Sequence, residues 1–273
     1  MTIRTPTLVP INGVRLLVEP PAGQGDLLIL VHGAWTDHRT WAALVPLLAH
    51  DFRVVTYDRR GHSRSERGRG PAPRRQDEAD LAALIRALGG RPAYLVGTSY
   101  GAAIALSLAG RRPDLVRGVV AHEPPLLGLV PMPDVEGQFH AVQDQIAAGD
   151  VEGGTRRFFE ELALEPGGWE LVPEPIREAA VANAQTFVDL REDPDWASLD
   201  VPAVTFFGGP LTITRGDSGP AWLPRIATAV AGLLGREARV IGGAGHSPHL
   251  TNPGAFAAAI RAGLRGEALR AAA

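Results

Sequence analysis

The chain has 273 residues, a formal net charge of −3 and 45% hydrophobic residues, which suits a globular protein with a sizeable buried core. It has no cysteine and its 27 basic residues are all arginine. That excludes disulfides, thiolate catalysis, cysteine-ligated metals, Schiff-base lysine chemistry and a P-loop lysine. There is no long basic run, no stretch of about 18 apolar residues and no signal-peptide core at Met1–Pro6, so the expectations are no nucleic acid, no membrane span and a cytoplasmic setting.

In chain order, Asn12-Gly13 divides two short apolar segments over residues 7–18 and predicts a β-hairpin. Leu27–Val31 is a continuous apolar run, the pattern of a strand buried on both faces, and Arg53–Tyr57 is a second. Trp41–Ala49 between them has helical spacing. Arg64–Arg75, with its prolines and glycines, reads as a solvated loop. Asp77–Leu88 places Ala79, Leu81, Leu84, Ile85 and Leu88 on one helical face. Pro92–Val96 then reads as a strand, Ala102–Ala109 as a buried helix and Val116–Ala121 as a strand. This alternation predicts an α/β fold, a mostly parallel sheet with helices on both faces. From Pro124 the pattern is helical only, through Gln138–Ala148, Val151–Leu164 and Pro175–Leu190. It predicts a helical cap over residues 124–200, inserted into a core made of residues 1–123 and 201–273. The sheet resumes at Pro210–Thr214, and a helix near Trp222–Leu234, a strand Ala238–Ile241 and a final helix Ala255–Leu264 follow.

The most informative segment is Gly97-Thr98-Ser99-Tyr100-Gly101, between the expected strand and the expected buried helix. A serine at such a turn, with glycines two residues to either side, has the pattern of a nucleophile elbow. The turn exposes Oγ, and the helix behind it aims its first amides at the place where an oxyanion would form. Serine needs a base, and the base needs an orienting acid. Of eight histidines, His246 stands out, because Gly242–His246 follows the last strand and so lies on the same sheet edge as Ser99. His249 also lies within reach of that edge. His38, His50 and His140 read as surface residues and His62 as a loop residue. A metal at His246 and His249 would need a third ligand that the neighbouring sequence does not offer. Two acids occupy suitable positions: Glu123, after the strand Val116–Ala121, and Asp217, after the strand that ends near Thr214.

Four pieces resemble the α/β-hydrolase superfamily in order: Val31-His32-Gly33-Ala34-Trp35, Tyr57-Asp58-Arg59-Arg60-Gly61-His62-Ser63, Gly97–Gly101 and Gly243-Ala244-Gly245-His246. The resemblance covers residues 25–265 and implies the α/β-hydrolase fold with a Ser-His-acid triad. The family's usual Gly-x-x-Asp is not kept, since Gly216-Asp217-Ser218-Gly219 has glycine at the expected acid position. Ala121-His122-Glu123-Pro124-Pro125 resembles the His-Glu-x-Pro of zearalenone-type lactone hydrolases, and this favours Glu123 over Asp217 as the acid. The resemblance further implies an oxyanion hole from the amide of Tyr100 and that of Ala34, with Gly33 as the alternative to Ala34, and it places Trp35 either in the pocket wall or packed under the cap. The reading is a serine esterase or lactonase acting on a small-molecule ester or lactone, with no metal or cofactor. The alternatives are hydroxynitrile-lyase-like or cofactor-free perhydrolase chemistry on the same residues, or a binding protein on this fold.

Overall fold

A computed structural model describes residues 3–265, so residues 1–2 and 266–273 of the expected core lie outside the described residues. The hairpin at Asn12-Gly13 forms β1 (Thr7–Ile11) and β2 (Val14–Val18), paired antiparallel with Ile11 opposite Val14. Asn12 has φ 43° and Gly13 φ 80°, the left-handed pair that a two-residue turn requires.

The main sheet has six strands, β3 (Leu27–Val31), β4 (Arg53–Thr56), β5 (Ala93–Thr98), β6 (Val116–His122), β7 (Leu211–Gly216) and β8 (Arg239–Ile241). They run parallel in the order β4-β3-β5-β6-β7-β8. Every residue of β3 is buried, as its unbroken apolar run requires. Alternate side chains feed two cores. Leu27, Ile29 and Val31 pack with α2 (Arg74–Ala87), α3 (Tyr100–Arg111) and α9 (Trp222–Leu233), while Leu28 and Leu30 pack with α1 (Val45–Leu48) and α11 (Pro253–Arg265). The sheet is therefore covered on both faces.

Between β6 and β7 the chain runs through α4 (Pro133–Ala147), α5 (Val151–Phe158), a π-helical turn (Phe159–Ala163), a 3₁₀ turn (Gly168–Leu171), α6 (Glu174–Ala182), α7 (Ala184–Glu192) and α8 (Val201–Thr205). A short helix α10 (Pro248–Thr251) precedes α11. No helix among the described residues is long and apolar enough to cross a membrane.

Several helical expectations differ in detail: the helix expected over Gln138–Ala148 starts at Pro133, and Val151–Leu164 divides into α5 and the π-helical turn. Trp41–Ala49 is not one helix but a 3₁₀ turn, His38–Trp41, followed by the single turn α1, with Pro46 in that first turn. Pro175–Leu190 divides at Asn183, which has φ −89° and ψ 0° and closes α6 while opening α7. The helix over Asp77–Leu88 starts three residues earlier, at Arg74, because Pro73 provides an extended entry.

Candidate active site

Ser99 stands between β5 and α3 with φ 52° and ψ −127°, a conformation that L-residues rarely adopt and that costs on the order of 1–3 kcal/mol. The turn survives because its neighbours are small. A Cβ at Gly97 would run into the Gly101 carbonyl, and one at Gly101 into the carbonyl of Val31 on β3. The Ser99 amide donates to the His122 carbonyl at 2.9 Å, which ties the turn to the end of β6. Tyr100 is the first residue of α3, so its amide has no partner within the helix.

His246 follows β8 and lies in the wall of a cavity of about 690 Å³ that Ser99 also lines. Its Nδ1 lies 2.8 Å from Glu123 Oε2. Glu123 is the residue after β6, and φ 45° turns its side chain out of the strand direction toward the carboxyl edge. Its other oxygen, Oε1, accepts from the Gly216 amide at 2.9 Å. Burial works to raise the Glu123 carboxyl, but the hydrogen bond from His246, the neighbouring imidazoles and the Gly216 amide hold it below the usual glutamate range. The group is a buried carboxylate at neutral pH, satisfied on both oxygens.

Asp217 takes a different place. Its two oxygens accept from the amides of Gly243 and Ala244 at 3.1 and 3.2 Å, so it braces the loop that leads to His246 rather than the imidazole itself. Of the two acids, the fold brings Glu123 to the histidine.

Trp35 is packed away from the pocket wall. It has φ 71°, its ring is fully buried, and it stacks on Phe187 at 4.7 Å and Phe158 at 4.8 Å beneath the helical segment. It does not line the large cavity, although its neighbour Ala34 does. The Gly33-Ala34 loop is held from below. Gly33 O accepts from His32 Nδ1 at 2.9 Å and from an Arg59 guanidinium nitrogen at 3.0 Å, and the Arg59 amide donates to His32 Nε2. The same guanidinium bonds buried Asp77 at 2.8 Å.

Two contributors, His122 of the His-Glu-x-Pro segment and Asn183, have roles that the sequence pattern did not assign. His122 Nε2 donates to the Gly245 carbonyl at 3.1 Å, so Nδ1 accepts from the Thr214 hydroxyl at 3.1 Å. A carbonyl only accepts, which fixes this tautomer. Burial pushes His122 down to about 4, so it braces the His246 loop as a neutral ring. Asn183 reaches the opposite wall. Its Nδ2 donates to the Trp35 carbonyl at 2.9 Å and its Oδ1 accepts from the Ser63 amide at 2.7 Å, linking the α6–α7 junction to the loops after β3 and β4. His249 lines the same cavity, with Nε2 2.7 Å from Thr40 Oγ1 and its ring against Trp41. His38 is not a simple surface residue. It is half-buried and bonds Asp58 at 2.6 Å. His62 is buried, with Nε2 3.1 Å from Thr186 Oγ1 of α7.

Two groups among the described residues bring three possible metal ligands within 4.8 Å of one another: His122, Glu123 and His246, and Asp37, His38 and Asp58. In the first, both His122 nitrogens are taken by Thr214 and Gly245, and Glu123 Oε2 faces His246. In the second, Asp37 is held by Arg39 and Ser63, and Asp58 by His38 and the Arg64 amide. Both His122 nitrogens and the carboxylates of the two groups are thus engaged by hydrogen bonds of the protein itself.

Comparison with known proteins agrees with this architecture. An uncharacterised hydrolase of Bacillus subtilis is 38% identical over 133 residues, 48% of either chain, so the matched stretch spans about half the length of that relative. The 2-(acetamidomethylene)succinate hydrolase of Mesorhizobium japonicum is 29% identical over 212 residues, 72% of either chain. A thermophilic esterase from Thermogutta terrifontis superposes with a TM-score of 0.77 at 24% identity, over 96% of this chain and 97% of that one, a likeness of fold. The model of the alpha/beta hydrolase family matches residues 28–259, which takes in the whole main sheet and the segments that carry Ser99, Glu123 and His246, and the chain belongs to that family.

Proposed function

We propose that the protein is a serine-dependent carboxylic-ester or lactone hydrolase in which Ser99, His246 and Glu123 work as a triad. The observation that carries this is an arrangement on one sheet edge: a strained, cavity-lining Ser99, a His246 in the same wall, and a buried carboxylate 2.8 Å from its Nδ1. Relatives that act as hydrolases and an esterase of the same fold support it.

In this reading His246 Nε2 takes the Ser99 proton as Oγ attacks the ester carbonyl. Glu123 accepts from Nδ1–H, which fixes the ring and stabilises the imidazolium. The amides of Tyr100 and Ala34 receive the oxyanion, and a donor of this kind is worth about 3–4 kcal/mol when removed. The imidazolium then protonates the leaving alcohol, and water activated by the same ring hydrolyses the acyl-enzyme. Residues 124–200 act as a cap, since Phe158, Phe159, Leu171 and Ile176 of that segment line the cavity with Ser99.

The test is the intact mass of the protein after treatment with a fluorophosphonate, on wild type and on Ser99→Ala. One adduct on wild type and none on Ser99→Ala is the expected result, followed by turnover of p-nitrophenyl esters. A folded wild type that takes no adduct and hydrolyses no ester would refute the proposal.

A further inference from the structure

Ser99 and His246 open onto two spaces of very different size. The first is the cavity of about 690 Å³, whose wall near His246 is Gly243, Gly245, Ser247 and Leu250. The second is a recess of about 20 Å³ that shares Ala34, Ser99, Phe158 and His246 with it and is lined beyond them by Tyr100, Pro125, Leu162 and Leu190 and a set of aromatic rings. A space of that size holds about one water molecule, and hence about one methyl group.

The recess is closed by rings that brace one another. Phe139 stacks on Phe187 at 5.9 Å and meets Trp196 at 5.6 Å and the edge of Trp222 at 5.8 Å. Trp222 Nε1 donates to the Leu162 carbonyl at 3.0 Å, and the Arg191 guanidinium lies over both Trp196 and Phe139. Enlarging the recess means moving several of these rings together, and a packed interior resists that.

The chemistry decides which half of an ester goes where. The leaving oxygen must receive its proton from His246, so the alcohol lies on the side of the His246 loop, in the large cavity. The acyl chain leaves the carbonyl in the opposite direction, into the recess. We infer that the enzyme is selective for acetyl-sized acyl groups carried on bulky, largely apolar alcohols. Leu164, Leu171, Val172 and Ile176 supply the apolar wall for the alcohol. This rests on the acyl-enzyme reading above.

The experiment is kcat/KM for p-nitrophenyl acetate, butyrate and hexanoate, which keep one leaving group and change only the acyl chain. Each unaccommodated methylene in a tight pocket costs on the order of 10–200-fold. Butyrate adds two methylenes to acetate, so wild type should lose at least about 100-fold from acetate to butyrate, and more to hexanoate. Trp222→Ala, which opens one side of the recess, should raise the butyrate-to-acetate ratio by at least about tenfold. Phe139→Leu is the second variant and should shift the ratio in the same direction. A wild type that labels at Ser99 with the fluorophosphonate and hydrolyses butyrate or hexanoate as well as acetate would overturn the inference while leaving the hydrolase reading intact. A wild type that neither labels nor turns over any of the three esters would overturn both.

Discussion

Replacing Glu123 by glutamine tests the site at its most informative bond. The carboxylate accepts from two donors at once, the His246 ring at 2.8 Å and the Gly216 amide at 2.9 Å. A glutamine side chain has one acceptor oxygen and one donor NH₂. If the oxygen faces His246, the NH₂ meets the Gly216 amide. If it faces Gly216, the NH₂ meets the imidazole N–H. The first orientation leaves two buried donors face to face, at about 1–3 kcal/mol, and the second is relieved only when the ring moves its proton to Nε2, the tautomer that cannot take the Ser99 proton. The larger loss is the charge. When His246 takes the Ser99 proton, an imidazolium forms beside the carboxylate. Unit charges about 4 Å apart at an effective dielectric of about 20 attract by about 4 kcal/mol. That corresponds to about 10³ in rate, inside the range of about 10²–10⁴ expected for this role. The assay is kcat/KM on p-nitrophenyl acetate, together with the second-order rate of fluorophosphonate labelling, which reports activation of Ser99 without product release. Asp217→Asn is the paired control and should stay within about threefold, because its oxygens face backbone amides of the loop rather than the ring. A Glu123→Gln enzyme within tenfold of wild type, or an Asp217→Asn enzyme that loses as much as Glu123→Gln, would refute the reasoning.

Three further perturbations test other parts of the structure. Gly101→Ala forces a Cβ into the Val31 carbonyl, a backbone atom of a central strand that cannot yield, so the variant should fail to fold or melt at least about 10 °C lower by circular dichroism. Asn183→Leu removes the donors to the Trp35 carbonyl and the acceptor for the Ser63 amide; labelling of Ser99 should slow by at least about tenfold, and urea unfolding should register a loss of about 2–3 kcal/mol. Burial holds His122 down to about 4 and His249 down to about 3. Their folded pKa values lie below the unfolded value near 6.5, so the unfolded chain binds protons that the folded chain refuses. Their contribution is fully present above about pH 6.5 and is lost as the pH falls, at up to about 1.4 kcal/mol per pH unit for each ring. The urea midpoint of wild type should therefore drop steeply between pH 6 and pH 4, and a flat profile over that window would contradict the burial of neutral histidines.

The strands and the turn at Ser99 were legible because their signals are local. An unbroken apolar run is what a strand covered on both faces must carry, and Gly97 and Gly101 are small because atoms a few residues or one strand away leave no room. Glu123 and Asp217 could not be separated by such signals, since both follow a strand on the same edge. What separates them is backbone: φ 45° at Glu123 turns its carboxylate toward His246, while Asp217 caps the neighbouring loop. Trp35 shows the converse. Its place beside Ala34 suggested a pocket wall, but at φ 71° the ring points under the helical segment and is claimed by Phe158 and Phe187, more than 120 residues away. Asn183 was hidden for the same reason. Within a continuous helical pattern nothing marks it as a break, and its partners Trp35 and Ser63 lie on loops after β3 and β4.

The feature with most bearing on specificity is also the least local. Phe139 on α4 and Phe187 on α7 are buried among other apolar side chains like ordinary core residues. Only when Phe139, Phe187 and Trp196 pack together, with Trp222 from beyond β7, do they shut one side of Ser99 down to about the room of a methyl group while the other side stays open. Sequence periodicity can assign each ring to a buried face, but the volume left beside Ser99 is set by how rings from four separate segments meet. In the proposed reading substrate size is therefore set by how these rings pack, and the serine, histidine and carboxylate that would perform the reaction carry no trace of it.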